Sequence, residues 1–365
     1  MEGALNRALR WHMSAPIRVT EPASPAHGAI LHGLEGGMPL GVYTEITGYA
    51  VSLFVFLARS DADPSYLRAA EDAAGFLLRI QTRDGAYPHL PDPSAPEGPA
   101  PMYSFDTAAC AVGLARLARM TKDDRYLESG LAAGRWLLGM QLPDGSFRAM
   151  AVRGGDVADP GGFFGDRSCI HAKVAIALLE LGDLSGRPEF RQAALRACDY
   201  TLTMQAPDGA FWSRPDRRYV FTHAHCYACE GLWFAGSYLR ESRYMDAARR
   251  GTAWLSASQG QDGGWLSNYR MSVVSRAGAR EALLRPRPSD AAAQAARLFS
   301  LQGNECDAPR RAAIAFLLEC QEPAGGFLYR KTRLGYSPYR FSWCAQFAIQ
   351  ALVWDHGAAA SGDLF

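Results

Sequence analysis

A seven-residue phrase occurs five times in this chain. It reads QTRDGAY from Gln81, QLPDGSF from Gln141, QAPDGAF from Gln205, QGQDGGW from Gln259 and QEPAGGF from Gln321. The pattern is Gln-x-x-Asp-Gly-x-aromatic, with Ala324 in place of Asp in the last copy. The copies lie about 60 residues apart, and a fixed period of that size is the mark of repeated supersecondary units. The phrase itself reads as turn chemistry. Gly takes φ > 0 and stops a helix, Asp bonds nearby backbone N–H groups, and the aromatic folds the loop back onto the body. It describes how the chain is built and assigns no chemistry.

An amphipathic helix precedes each copy: Tyr66–Gln81, Tyr126–Gln141, Phe190–Gln205, Tyr244–Gln259 and roughly Pro309–Gln321. Apolar side chains recur at i, i+3, i+4 on one face and charged ones on the other. After each copy come a loop and a helix apolar on nearly every face, the pattern of a buried helix. These are Glu45–Arg59, Asp106–Met120, His171–Leu184, His223–Leu239, Asp290–Leu301 and Ser342–Trp354. Leu5–Met13 supplies a sixth outer helix. Six outer and six inner helices in alternation predict an all-α (α/α)6 toroid, one domain over residues 1–355, with a flexible tail at 356–365.

Bulk properties narrow the partners. Hydrophobic residues make up 48% of the chain and charged ones 21%, an ordinary soluble composition. With 38 basic and 37 acidic residues the net charge is +1, which argues against nucleic acid or an anionic membrane as partner. The first residues show no secretory h-region, and no run is long enough to span a bilayer. The eight cysteines then read as reduced core thiols of a cytoplasmic protein. Nothing in the sequence indicates an oligomeric state.

Connections from inner to outer helices are short, and those from outer to inner are long. The long loops therefore share one face, where the inner helices begin, and long loops in a compact domain are usually functional. The helix starts at that mouth carry Glu45, Asp106, His171 and His223 as candidate catalytic groups. Tyr43, Tyr103, Lys173, His225, Asp290, Arg340 and Trp343 are candidate substrate contacts. Ser104, Ser168, Thr222, Ser289 and Ser342 fit N-caps, and Asp106 and Asp290 fit either a cap or a site. His225 shares the mouth with His223 only if that stretch is not yet helical. Lys173 either meets a ligand carboxylate or snorkels outward. Six helix N-termini aimed at one cavity favour an anion such as a uronate. Loop arginines, among them Arg330 and Arg333, and loop aromatics, among them Phe163, Phe164 and Tyr336, add binding capacity. No metal or cofactor site is indicated.

In Tyr43-Thr-Glu-Ile-Thr-Gly-Tyr49, Phe105-Asp-Thr107 and Thr222-His223 the chain resembles the terpenoid-cyclase/prenyltransferase-like toroids and the six-hairpin glycosidase group. It is nearest to bacterial toroid proteins associated with polysaccharide biosynthesis. The resemblance covers nearly the whole chain and implies architecture more than reaction. Class II terpene cyclases protonate an alkene with Asp-x-Asp-Asp. That motif is missing here, and Phe105-Asp106-Thr107-Ala108 is similar only to its tail. Zinc sets of the prenyltransferase or lanthionine-cyclase kind have no matched second Cys beside His225 and Cys226.

Three readings follow. One is a carbohydrate-active enzyme acting by acid–base chemistry on a uronate-containing poly- or oligosaccharide. In a hydrolase Glu45 and Asp106 are acid and base. In a lyase or C5-epimerase His223 or a Tyr takes the proton, His171 is the partner acid, and Lys173 or an Arg neutralises the carboxylate. The second is a non-catalytic binding or scaffold toroid. The third is a terpene-cyclase-like enzyme, marked by a deep aromatic cavity.

Overall fold

The computed structural model describes residues 2–14, 17–61, 63–94, 100–152, 159–270, 285–357, 363 and 364. Twelve α-helices lie among them. The outer set is α1 (Glu2–Met13), α3 (Pro64–Ile80), α5 (Asp124–Met140), α7 (Pro188–Thr203), α9 (Ser242–Ser258) and α11 (Asp307–Glu319). The inner set is α2 (Thr44–Ser60), α4 (Ser104–Thr121), α6 (Val174–Ser185), α8 (Thr222–Leu239), α10 (Ser289–Gln302) and α12 (Ser342–Asp355). Each inner helix touches the next, and α12 touches α2, so the inner ring closes. The fold is the expected (α/α)6 toroid. A 3-10 turn over Cys169–Lys173 leads into α6, the one inner helix without an α-helical start at the mouth.

The repeated Gln is a staple between hairpins. Its side-chain amide donates twice, once to the turn's own Gly carbonyl and once to a carbonyl of the next outer helix. Gln81 bonds Gly85 O and Ser129 O at 3.0 and 2.9 Å, and Gln141 bonds Gly145 O and Ala193 O. Gln205 and Gln259 repeat the pattern onto Ala247 O and Pro309 O. Gln321 closes the circle by donating to Ala4 O of α1 at 2.8 Å. Gly is required for two reasons. At Gly325 φ is +107°, and an added Cβ would sit 2.1 Å from the Arg7 carbonyl oxygen. The five aromatics, Tyr87, Phe147, Phe211, Trp265 and Phe327, are fully buried.

Short strands ring the mouth, and the periodicity gave no sign of them, since two or three residues are too few to show alternation. β1 (Gly33–Glu35) pairs antiparallel with β2 (Met38–Pro39), β3 (Pro101–Tyr103) with β4 (Met150–Val152), and β5 (Tyr219–Phe221) with β6 (Asn268–Arg270). β7 (Arg287–Pro288), β8 (Arg330–Thr332) and β9 (Gly335–Tyr336) form a fourth group. β10 (Tyr339–Phe341) pairs with β1, joining the last loop to the first.

The expected caps behave differently. Of the Ser and Thr candidates only Ser168 accepts from a backbone N–H of its own helix start. Ser104, Thr222 and Ser342 are first helical residues, and their hydroxyls donate to Arg148 O, Leu266 O and Leu31 O in the adjoining loop. Their backbone N–H groups bond the same loops, at Ala149 O, Ser267 O and His32 O. The free N–H groups of the helix ends are thus satisfied between hairpins.

The C-terminal tail also departs from expectation at the residues described. Leu364 is fully buried. Its carbonyl accepts from Arg116 Nη2 at 2.9 Å. Its side chain belongs to the hydrophobic core.

Candidate active site

A cavity of about 530 Å³ opens at the N-terminal ends of the inner helices. The second residues of five of these helices line it: Glu45, Phe105, His223, Asp290 and Trp343. A second set comes from the loops. The residue two beyond the motif aromatic lies on the wall in four repeats, as His89, Ala149, Ser267 and Tyr329, and His32 holds the matching place in the first loop. The cause is a shared hydrogen bond, since the carbonyls of His89, Ala149, Ser267, Tyr329 and His32 accept from the first residue of an inner helix.

Two imidazole–carboxylate couples stand in the wall. His89 Nδ1 lies 2.6 Å from Asp106 Oδ2. Burial works against the charged imidazole, but the Asp106 hydrogen bond and charge, with Glu45, raise His89 above its ordinary value. His223 Nδ1 lies 3.0 Å from Asp290 Oδ2. Asp290 also accepts from Trp343 Nε1 at 3.0 Å and from Ala291 N at 2.8 Å. Burial alone would raise Asp290, yet the facing His223 and these donors hold it below the usual carboxylate range. In the ring order α4 stands opposite α10, so the couples face each other across the cavity.

Glu45 sits near both. Burial, followed by the neighbouring Asp106 charge, pushes its carboxyl up to about 7, against the opposing effects of a Tyr43 hydrogen bond and of His223 and His89. A carboxylic acid that keeps its proton near neutrality can donate it. Tyr43 itself is raised well above the usual phenol value by burial and by Asp106 and Glu45, so it stays neutral.

Aromatic rings supply most of the remaining surface. His32 stacks on Phe341 and Trp343 at centroid distances of 4.8 and 5.1 Å. Phe163 lies against Phe164, Phe221 and the edge of His223. Such faces suit stacking against a ring or an apolar chain. Asn268 and Arg330 line the same cavity.

Of the eleven residues expected at the site, Tyr43, Glu45, Tyr103, Asp106, His171, His223, Asp290 and Trp343 line the cavity. Three do not. Lys173 lies beneath the floor, 2.9 Å from Glu230 and over the Tyr49, Tyr227 and Phe347 rings. Its five-residue 3-10 turn carries it below the mouth. His225 of α8 is fully buried against α9, accepting from Phe211 N at 3.0 Å with its other nitrogen 3.0 Å from Gly251 O. The stretch is already helical at His223, so residues two apart face different ways. Arg340 is turned outward into a two-pronged pair with Glu322. His171 reaches the wall, but burial lowers it to about 3, so it is neutral and holds no proton to give at neutral pH.

The sequence reading missed His32, His89, Phe221, Tyr227 and Phe341. The repeat held the signal for the first two: counting two residues past each motif aromatic gives His89 directly. Among the described residues no three His, Cys, Asp or Glu side chains gather as a metal site. No helix among them is long and apolar enough to cross a membrane. The eight cysteines are free.

Residues 103–342 match the protein family described as the squalene-hopene cyclase C-terminal domain. Drimenyl diphosphate synthase of Streptomyces showdoensis is 30% identical over 311 residues, which is 83% of this chain and 49% of that protein. The chain thus spans about half the length of that relative. Among solved structures, a sugar epimerase from a ruminal bacterium superposes with a TM-score of 0.76 at 12% identity, covering 98% of this chain and 100% of that one. An unsaturated glucuronyl hydrolase specific for heparin gives 0.67 at 15% identity, covering 97% and 95%. At such identities these last two are likenesses of fold.

Proposed function

The chain belongs to the squalene-hopene cyclase C-terminal domain family, and we propose that it uses the toroid as an acid–base enzyme on a uronate-containing carbohydrate. One observation carries this reading: two imidazole–carboxylate couples line one cavity with a third carboxyl, Glu45, near both. Abstraction of a proton α to a carboxylate needs a base on one side and an acid within reach of the other.

In the reaction proposed, the imidazole of His223 or His89 takes the C5 proton of the uronate. Asp290 or Asp106 steadies the imidazolium that forms. In a lyase the freed pair becomes the C4–C5 double bond, the C4–O bond breaks, and Glu45 protonates the departing oxygen. In an epimerase the pair is held as the enolate, and an acid on the opposite face returns a proton to C5. Arg330 is the cation at the wall that meets the substrate carboxylate, the role first given to Lys173 or an Arg. Aromatic faces at Trp343, Phe341 and Phe163 stack on the sugar rings. The free thiols fit a reducing compartment such as the cytoplasm.

Carbocation chemistry finds less support. The Asp-x-Asp-Asp acid is absent, Tyr103 and Phe105 standing where its first two acids would fall. His32, His89, His171 and His223 would also offer nucleophilic nitrogens to a cation held in this cavity. A cyclase-type reading on an isoprenoid substrate has in its favour the family match, the drimenyl diphosphate synthase relative and the largely aromatic wall around Glu45.

The deciding experiment incubates the protein with oligosaccharides of each common uronate, and separately with linear isoprenyl diphosphates. Ultraviolet absorbance reports an unsaturated uronate, and deuterium uptake from heavy water reports exchange at C5. Turnover on a uronate that disappears in Glu45→Gln and His223→Ala supports the reading. Turnover confined to the isoprenyl substrates overturns it.

A further inference from the structure

The far end of the ring carries a second feature, independent of the mouth. Arg59, Arg116, Glu180 and Gln350 lie in the C-terminal halves of inner helices α2, α4, α6 and α12. Arg116 is nearly fully buried and its Nε is 2.7 Å from Glu180 Oε1. Its two terminal nitrogens reach away from that pair, Nη2 to Leu364 O at 2.9 Å and Nη1 to Asp363 O at 3.3 Å. Gln350, fully buried, donates to the same Asp363 carbonyl at 2.8 Å. The Asp363 carboxylate meets Arg59 Nη1 at 3.0 Å. The Leu364 side chain is fully buried in the core cluster. Two residues shortly after α12 thus use both their carbonyls, one carboxylate and one apolar side chain.

The structure assigns the base of the toroid as a peptide-binding socket, specific for an acidic residue followed by leucine and filled here by the chain's own Asp363-Leu364. The reason is chemical. Arg116 presents a planar fork whose donors exceed what Glu180 can accept. Gln350 adds a further donor, and buried donors without acceptors are costly. Inner-helix C-termini give the base a negative field, and Arg59 and Arg116 offset it, so an acidic residue is tolerated. Leu364 contributes the apolar part, and loss of a fully buried leucine contact lowers affinity by about 10-fold or more.

The socket is also joined to the cavity floor. Gln350 Oε1 accepts from Arg297 Nη1 at 2.9 Å. Arg297 pairs with Glu230, and Glu230 with Lys173. Lys173 lies 4.4 Å from the centroid of the Tyr227 ring, which faces the cavity. Emptying the socket frees one end of this chain of contacts.

The test compares the full chain, the full-chain variant Leu364→Ser and a chain ending at Gly357. Thermal melting is measured, and a synthetic peptide spanning residues 358–365 is titrated into the shortened chain by calorimetry. Expected are a melting temperature lower by roughly 2 °C or more in both altered chains, saturable peptide binding that restores it, and binding weakened about 10-fold or more when the peptide carries serine for Leu364. Amide exchange should slow on peptide binding in the C-terminal halves of α4 and α12, and around Arg297 and Glu230. Unchanged melting in the shortened chain together with no peptide binding overturns the proposal. If the shortened chain does not fold, the full-chain variant decides: faster exchange at α4 and α12 supports the socket, and unchanged exchange overturns it.

Discussion

The mouth and the interior below it both bury ionisable groups, but they treat them in opposite ways. Among the described residues below the floor, the buried charges are paired. Glu230 meets both Lys173 and Arg297, and Arg116 meets Glu180. At the mouth three carboxyl groups face imidazoles whose charge depends on pH, and Glu45 keeps its proton to about 7. Buried ion pairs fixed on both sides serve position, because breaking one leaves an uncompensated charge. Groups poised near neutrality serve proton transfer. The contrast separates scaffold from chemistry within one ring of helices.

The largest break in that contrast should come from Glu230→Leu. It strands Lys173 and Arg297 together, and the expected cost is about 3–5 kcal/mol, read from the denaturant midpoint. If the loss is under about 1 kcal/mol, the interior pairs are not the scaffold described. At the mouth, His223→Ala should lower turnover by about 100-fold or more and leave the denaturant midpoint nearly in place. A loss of folding as large as that of Glu230→Leu would erase the distinction.

A third measurement is the pH dependence of stability. The folded value of Glu45, about 7, stands above its ordinary 4.5. Its contribution is therefore complete below pH 4.5 and is lost as pH rises through 7. Glu45→Gln should flatten that slope. His89, also raised, adds a slope of the same sign that begins near its ordinary 6.5 and survives the change. An unaltered slope in Glu45→Gln means that the carboxyl ionises freely. Activity that needs the protonated acid should fall as pH rises past about 7. The smallest effect is expected at the ring's seam. Gln321→Ala removes the bond to Ala4 O and should cost about 1 kcal/mol, seen as faster exchange in α1 with turnover unchanged.

Much of this was legible before the structure. The five Gln phrases and the two kinds of helix periodicity predict the alternation of twelve helices, and the inequality of the connections predicts the working face. Glu45, Asp106, His223, Asp290 and Trp343 were legible as well, since helix starts on one face must converge in a ring. Lys173 and His225 were misplaced for one reason: sequence position near a helix start does not say which way a side chain faces once the helix has begun. His32 and His89 lie in loops without periodicity, and the bonds that bring their carbonyls to neighbouring helix starts are contacts between hairpins. Leu364 looked like an unremarkable terminal residue because the place that receives it is made by helices from four different repeats.

The sequence by itself determined the count, kind and order of the helices, because periodicity and turn chemistry act over a few residues along the chain. Only the tertiary structure decided which imidazole meets which carboxylate, which buried charges are answered, and what seals the base. Those outcomes depend on distances between residues dozens to hundreds of positions apart, and only closure of the ring fixes them.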